Sequence, residues 1–391
     1  MTPSARVQAA IEVLDEVIAA ARDDGPPADA IVTRYFKTRR YAGSKDRRAV
    51  RDLVFRAIRR TGERPESGRA AMVGLVSDEP DLAMLFDDSP HGPQAIGDEE
   101  AAFRLLMPKW MEGELSPLVT HSEWPALLER APLDLRANIA RASRDDLLPA
   151  FEGAEPTSLS PWGLRLPADS RIDQHPAFLQ GLVEVQDEGS QLIALACEPD
   201  ARMKIVDLCA GAGGKSLALA SAVPDAGILA CDTNRARLAK LPPRAERAGA
   251  SIETRLLDGG RETEQLADWE AKADIVLVDA PCSGSGTWRR NPEGRWRLTP
   301  DRLGRVIALQ SRLLDIAVRL VAPGGTLVYA VCSLLEREGA GQIAAFLGRH
   351  SSWSVQDALG SYGRKDGAGR LLTPGHDGTD GFFVARLRRS C

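Results

Sequence analysis

The sequence predicts an α/β protein in which a doubly wound parallel sheet follows an all-helical region. From about residue 180 onward, short apolar runs alternate with amphipathic stretches, which is the pattern of parallel strands joined by helices. Before about residue 60, apolar residues recur with the 3.6-residue period of a helix. A glycine-rich turn follows the first predicted strand of the sheet, as expected where such a sheet binds a ligand.

The N-terminal residues 1–128 are predicted to form the helical domain. Helices are expected within residues 4–60, 68–85 and 99–107, and a turn-rich loop at residues 86–93. Charge is unevenly distributed along this region. Residues 34–60 contain eleven Lys and Arg against two acids, whereas residues 61–130 contain five against fourteen. The basic segment is either a solvated helix face or a contact surface for an anionic partner such as RNA phosphate.

Two further domains are predicted after the helical one. Residues 129–178 read as a small α+β subdomain, with strands at 133–138 and 163–166 and a helix near 145–151. Residues 179–391 form the large sheet. Its strands are predicted at 205–209, 227–232, 251–257, 275–279, 326–331 and 382–387, and its helices at 215–222, 235–248, 303–320 and 339–348.

Composition excludes several classes of protein. The 391 residues are 43% hydrophobic and 27% charged, with a formal net charge of −5, which is typical of a soluble globular protein. No apolar run reaches the roughly 18–20 residues of a membrane span. The six cysteines include no C-x-x-C pair and the five histidines are scattered, so neither a disulfide framework nor a metal site is expected. We expect a cytoplasmic monomer that uses no metal and no membrane.

The glycine-rich turn predicts the cofactor. It fails the dinucleotide fingerprint, because Ser216 stands where Gly or Ala is needed, and it has too few residues for a P-loop. S-adenosylmethionine fits better, because carboxylates at the ends of later strands suit its cationic sulfonium. Asp232 would bind the ribose hydroxyls and Asp258 the adenine, unless each acid merely caps a turn. The predicted cofactor-binding residues are Cys209, Ala210, Gly211, Ala212, Gly213, Gly214, Asp232, Asp258 and Asp279.

Two cysteines fifty positions apart predict the chemistry. Cys282 and Cys332 each come just after a predicted strand, so in one parallel sheet both thiols would lie at its carboxyl edge. A thiolate that adds to carbon 6 of a pyrimidine pushes electron density to carbon 5, which can then be methylated. Asp279 suits a hydrogen bond to ring N3, and either cysteine suits the attack. Cys197 and Cys231 are expected to be buried hydrophobes, and Cys391 to be idle.

The sequence resembles the Sun/Fmu (RsmB, NSUN-type) family of RNA cytosine-5 methyltransferases over roughly residues 130–390. The motifs that carry the resemblance are Val185-Gln-Asp-Glu-Gly-Ser-Gln191, Asp207-Leu-Cys-Ala-Gly-Ala-Gly-Gly-Lys215, Asp279-Ala-Pro-Cys-Ser-Gly-Ser-Gly286, Arg289-Arg-Asn-Pro-Glu-Gly-Arg-Trp296, Tyr329-Ala-Val-Cys-Ser333 and Asp380-Gly-Phe-Phe383. The resemblance implies a Rossmann-like class I methyltransferase fold. It also implies that Cys332 is the nucleophile, that Cys282 assists release of the product and that Lys215 binds the cofactor together with the glycine motif.

The helical region resembles the NusB-like RNA-binding module of the RsmB branch, through residues 46–60. This likeness favours ribosomal RNA as the substrate, with transfer RNA as the alternative. A DNA-directed or other-base methyltransferase and an inactive RNA-binding factor are the other rivals. Near the site, Trp288 and Trp296 are expected to stack on RNA bases unless they belong to the core. The arginines expected to bind phosphate are Arg289, Arg290, Arg295, Arg297, Arg302 and Arg305.

Overall fold

The computed structural model describes residues 1–391. Its α-helices are α1 (Pro3–Arg22), α2 (Ala28–Lys37), α3 (Ser44–Arg60), α4 (Gly68–Asp78), α5 (Arg144–Leu147), α6 (Pro176–Leu179), α7 (Glu188–Leu195), α8 (Gly214–Ala222), α9 (Arg235–Leu238), α10 (Leu241–Ala248), α11 (Glu262–Gln265), α12 (Gly294–Arg297), α13 (Pro300–Leu320), α14 (Ala340–Arg349) and α15 (Pro374–Asp377). None of these helices combines the length and the apolar character that crossing a bilayer requires.

The strands form two separate sheets. They are β1 (Leu133–Ala137), β2 (Glu155–Pro156), β3 (Gly163–Leu166), β4 (Val183–Val185), β5 (Lys204–Asp207), β6 (Gly227–Asp232), β7 (Glu253–Leu256), β8 (Ala273–Asp279), β9 (Val321–Val331), β10 (Trp353–Gln356), β11 (Arg364–Asp366), β12 (Gly369–Leu372) and β13 (Phe382–Arg389). Strands β1 to β4 pair antiparallel in a small sheet of order β2-β3-β1-β4. The other nine strands form the large sheet.

The large sheet confirms the predicted α/β class and extends it. Its parallel part has the order β7-β6-β5-β8-β9, so strand order reverses between β5 and β8. Open α/β sheets bind ligands beyond the carboxyl ends of the strands at such a reversal. Strand β13 joins the other side of β9 antiparallel, and the short strands β10 and β12 pair with β13. The sheet is therefore mixed at its C-terminal end rather than parallel throughout.

Contacts divide the chain into two units. The first contains Met1–Leu115, Trp124–Glu129 and Thr287–Pro300, and the second contains the rest. In the first unit, α1 packs on α2, α3 and α4 around a core that includes Val7, Leu14, Ile31, Val54 and Met72. In the second unit, the core fills the space between the large sheet and its helices. The division into three domains at residues 128 and 178 stays a prediction.

Several predicted helices differ from the structure, among them residues 68–85, where α4 ends at Asp78 and Pro80–Leu85 form a 3-10 helix. Residues 99–107 are not helical, because their backbone bonds to other elements: Ala102 N–H donates to the Ala70 carbonyl and Leu105 N–H to the Arg60 carbonyl. The predicted helix 235–248 is divided into α9 and α10. The division falls just before Pro242, whose ring fits the first turn of a new helix and not the middle of one.

Candidate active site

Strands β8 and β9 bring the two cysteines together. The strands are parallel neighbours, with Asp279 opposite Ala330, so both end at the carboxyl edge of the sheet. Cys282 lies three residues after the end of β8, and Cys332 directly follows β9. Their Sγ atoms are 3.3 Å apart, and both thiols are free. The predicted meeting of two thiols at one sheet edge is therefore confirmed.

The environment of Cys282 keeps that thiol protonated. Its hydrogen bond with Cys332, its burial, and the negative charges of Cys332 and Glu338 together raise the pKa of Cys282 well above the usual value of a thiol. The Cys282 thiol therefore holds its proton more firmly than an ordinary thiol, and either sulfur can be the donor in the contact between the two.

Lys215 and Asp279 form an ion pair beside the thiols. Lys215 lies in the first turn of α8 and Asp279 ends β8, and Nζ lies 2.6 Å from Oδ2. Burial alone would lower the pKa of Lys215, but the charge and hydrogen bond of Asp279 outweigh it and raise that pKa. Oδ1 of Asp279 accepts no hydrogen bond within the protein, and the side chain is 30% exposed. This oxygen is free to bind a ligand.

The glycine turn has a conformation that requires two of its glycines. Gly211 and Gly213 have φ angles of 57° and 83°, in the left-handed region. A Cβ on Gly213 would lie 2.2 Å from Leu241, so the turn also needs glycine for packing. A Cβ on Gly214 would meet nothing within 4 Å. The turn thus leaves open space at the start of α8, where a ligand can approach the backbone.

Asp232 fixes the glycine turn from the next strand. It ends β6, is 7% exposed, and accepts hydrogen bonds from the backbone N–H groups of Gly211 (2.7 Å) and Asn234 (2.6 Å). Asp258 follows β7 and is exposed, and its Oδ2 accepts from the Gln265 side chain at 3.1 Å. Asp232 and Asp258 therefore lie at the carboxyl ends of two adjacent strands. Each also makes hydrogen bonds to its own turn, as an acid that only caps a turn would.

Two buried acids near the site were not predicted from the sequence. Asp207 ends β5 and accepts from the Ser216 hydroxyl at 2.6 Å, while burial raises the pKa of its carboxyl to about 7. Glu338 is fully buried and binds groups on both cysteine segments. Asp207 could have been predicted, because it lies inside the glycine motif. Glu338 could not, because two of its hydrogen-bond donors, Ser283 and Gln310, lie 55 and 28 residues away in the sequence.

The prediction that Trp288 and Trp296 stack on RNA bases is wrong. Their exposed fractions are 1% and 3%, and the Trp296 indole N–H donates to the Thr61 carbonyl at 2.7 Å. Arg295 is also fully buried, and its guanidinium donates to the Ile58 carbonyl at the end of α3. All three residues belong to the first unit, where Arg295 and Trp296 bond backbone carbonyls at and just after the end of α3. The sequence could not distinguish these two from RNA contacts, because their partners lie more than 200 residues away.

The arginines around these tryptophans divide by exposure. Arg289 is buried at 6% exposed, so the prediction that it binds phosphate is also wrong. Arg297 donates to the Gly25 carbonyl at 2.9 Å, and Arg290 and Arg302 are partly buried with partners of their own. Arg305, on α13, is exposed. Of the six predicted phosphate contacts, only Arg305 is left fully open to solvent.

A family model and two related sequences match this chain, and all three describe ribosomal RNA methyltransferases. The sequence model of the family described as 16S rRNA methyltransferase RsmB/F matches residues 193–388. A protein of Enterobacter sp. (strain 638), named ribosomal RNA small subunit methyltransferase B, is 36% identical over 292 residues, which are 73% of this chain and 67% of the relative. A protein of the same name from Xylella fastidiosa (strain 9a5c) is 34% identical over 72% of this chain and 68% of its own length.

Solved structures share the fold. The crystal structure of PH0851 superposes with a TM-score of 0.77 at 22% identity, covering 98% of this chain and 99% of its own. A methyltransferase homologue from Pyrococcus horikoshii superposes with a TM-score of 0.61 at 26% identity, covering 71% of this chain and 92% of its own. The large sheet is therefore the Rossmann-like sheet of methyltransferases, as the sequence predicted.

Proposed function

This chain belongs to the family of 16S rRNA methyltransferases RsmB/F, and from that premise we propose that it methylates carbon 5 of a cytosine in small-subunit ribosomal RNA. S-adenosylmethionine is its methyl donor. The observation that carries the proposal is the pair of thiols 3.3 Å apart beside Asp279. A methyl transfer to an amine or a hydroxyl needs no thiol, whereas carbon 5 of a pyrimidine becomes reactive only after a nucleophile has added at carbon 6.

The glycine turn fits the cofactor. A cradle that leaves open space at Gly214, with Asp232 fixing the turn, suits an uncharged adenosine approaching backbone N–H groups. The exposed Asp258 is available for the adenine edge. When bound, S-adenosylmethionine supplies an electrophilic methyl group on its sulfonium. Besides the glycine turn, we assign the binding of this cofactor to Lys215 and the three acids Asp232, Asp258 and Asp279.

The protein's own residues then divide the work on the base. The Cys332 thiolate adds to carbon 6 of the cytosine, and the electron pair moves towards carbon 5. Ring N3 takes a proton from solvent as the adduct forms, and its N–H donates to Oδ1 of Asp279, which Lys215 holds in place. Once the Cys332 sulfur is bonded to carbon, it no longer shares the proton of Cys282. Loss of the Cys332 charge removes one cause of the raised pKa of Cys282, so that this thiol gives its proton to solvent. Once carbon 5 carries the methyl group, the Cys282 thiolate takes the proton from carbon 5. The electrons of that C–H bond re-form the double bond to carbon 6, and the Cys332 thiolate leaves.

Transfer of labelled methyl groups tests this proposal. Purified full-length chain is incubated with methyl-labelled S-adenosylmethionine and 16S ribosomal RNA from cells that lack the enzyme. We expect label in the RNA and a cytosine that becomes resistant to bisulfite conversion. Total transfer RNA serves as the competing substrate. Label on a purine, or label only in transfer RNA, would contradict the proposed target.

We also propose that the turn between α2 and α3 contacts the RNA backbone. Seven of the eleven basic residues in 34–60 bind acids or carbonyl groups of the protein. The other four are exposed and bind no protein group, and we call them the basic elbow: Lys37, Arg40, Lys45 and Arg48. Tyr41, which is 72% exposed, lies among them and offers a ring for stacking.

Reversal of charge in the basic elbow is expected to weaken RNA binding. In the double variant Arg40→Glu/Lys45→Glu, two phosphate contacts are lost, so the slope of log K against log salt should flatten by roughly 1.5. The measurement is fluorescence anisotropy with a labelled 16S fragment at several salt concentrations. The matched control is Arg202→Glu/Lys204→Glu, which reverses two exposed cations at the amino end of β5. Equal slopes in the two double variants would exclude the basic elbow as an RNA contact.

A further inference from the structure

Glu338 is a buried carboxylate next to both thiols. It is fully buried, and it accepts hydrogen bonds from the Ser283 backbone N–H (2.8 Å), the Ser333 hydroxyl (2.5 Å) and the Gln310 side-chain amide (2.9 Å). All three donors are neutral groups. Removing a carboxylate from water costs free energy, so its presence here implies that the protein gains something from it. The positions of its hydrogen-bond donors indicate what that gain is.

The three donors connect Glu338 to both cysteine segments. Ser283 directly follows Cys282, and Ser333 directly follows Cys332. Gln310, on α13, also donates to the Pro281 carbonyl at 3.0 Å, so it holds the residue before Cys282 as well. One carboxylate therefore links the segment after β8 to the segment after β9.

Hydroxyl groups and β9 reinforce this link. The Ser333 hydroxyl lies 3.1 Å from the hydroxyls of both Ser283 and Ser285. The Ser285 hydroxyl accepts the Leu334 backbone N–H at 2.8 Å. The hydroxyl of Tyr329, which lies on β9, donates to the backbone carbonyl of Glu338 at 2.7 Å. Because each contact joins groups of the two segments or anchors Glu338, a shift of either cysteine segment would break several hydrogen bonds together.

We propose that Glu338 is a positioning residue that holds the two thiols at their 3.3 Å spacing and keeps the proton on Cys282. The inference rests on the proposed function, because it concerns the thiols that would act on the base. A negative charge in this buried place disfavours a second one on Cys282. The proton of the pair then stays on Cys282, which leaves the Cys332 sulfur as the acceptor and attacker.

The charges around Cys282 agree with this role. The pKa of Cys282 is raised first by its hydrogen bond with Cys332 and then by burial, and the charges of Cys332 and Glu338 raise it further. The other titratable groups nearby are the phenol of Tyr329, whose own pKa burial raises, and the Lys215–Asp279 pair. Glu338 is thus the one carboxyl group among the groups that raise the pKa of Cys282.

The test is Glu338→Gln, which keeps the shape and removes the charge. Alkylation by iodoacetamide is followed against pH in the protein without RNA, and trypsin places Cys282 on peptide 273–289 and Cys332 on peptide 320–337. We expect the pH midpoint for alkylation of Cys282 to fall by about 1 unit. We also expect kcat for methyl transfer to fall by roughly 100-fold, because the thiols lose their fixed spacing, while KM for S-adenosylmethionine stays unchanged.

The matched control is Glu336→Gln, which removes an exposed acid two residues earlier. It should leave both the midpoint and kcat unchanged. A Glu338→Gln protein with the wild-type midpoint and kcat would overturn the inference. Because alkylation needs no RNA, its result stands even if the proposed RNA target is wrong.

A second variant distinguishes the effect of the hydrogen bonds between the two cysteine segments from the effect of the Glu338 charge. It also tests the inference if Glu338→Gln does not fold. Ser333→Ala removes one donor to Glu338 and keeps the carboxylate. We expect kcat to fall by roughly tenfold with the Cys282 midpoint unchanged. A wild-type kcat in Ser333→Ala would show that the link does not position the thiols, and would overturn the inference.

Discussion

The variant Cys332→Ser is expected to lose methyl transfer by a factor of roughly 10,000 or more, because a hydroxyl at neutral pH does not replace a thiolate as a nucleophile. Cys332 directly follows β9, and its Sγ atom lies 3.3 Å from that of Cys282. The measurement is the rate of label transfer from S-adenosylmethionine to 16S ribosomal RNA. Binding of S-adenosylmethionine, followed by calorimetry, should stay at the wild-type value, since the glycine turn follows β5 whereas Cys332 follows β9.

The matched control for this variant is Cys231→Ser. Cys231 is fully buried in β6 and belongs to the sheet core. We assign it no step of the reaction. It should lose some stability and keep its methyl transfer. If Cys332→Ser retained more than about one hundredth of the wild-type rate, an attack by Cys332 would be contradicted.

The variant Asp279→Asn is expected to lose both activity and stability. Methyl transfer should fall by roughly 1000-fold, because the carboxylate that would bond ring N3 becomes an amide. Stability should fall by about 2 kcal/mol, since Lys215 is left as a buried cation without its partner, and partial exposure of Asp279 reduces the cost. Urea unfolding measures the second effect, and label transfer measures the first.

The double variant Asp279→Asn/Lys215→Met separates these two effects. Removing the cation removes the cost of burying it unpaired, so most of the lost stability should return. Activity should not return, because the group that would face N3 is still missing. Recovery of methyl transfer together with stability would show that Asp279 acts only through the ion pair, which would contradict its proposed contact with the base.

Much of the fold could be predicted because its signals are local. Apolar runs and helix periods predict β5, β6, β8 and α13 to within a few residues, and the glycine motif predicts the position of the glycine turn. Residues 99–107 could not be predicted in this way. Their composition permits a helix, but their backbone hydrogen bonds are made with α3 and α4, at residues that are close only in three dimensions.

The same distinction explains the site. Cys282, Cys332 and Lys215 could be predicted because each lies directly after a strand or in a turn of recognisable sequence. Trp288 and Trp296 have the composition of an RNA contact, yet both are buried within the first unit and so have a structural role. Glu338 has no sequence signal, since its role depends on donors from two distant segments.

We propose that the two thiols have unequal roles, with Cys332 attacking and Cys282 assisting release. Mixing each single serine variant with 16S ribosomal RNA and S-adenosylmethionine, followed by denaturing electrophoresis, tests it most directly. Cys282→Ser should accumulate a covalent protein–RNA adduct, because the attack proceeds and release is slow, whereas Cys332→Ser should form none. An adduct in Cys332→Ser and none in Cys282→Ser would assign the attack to Cys282 and contradict this account.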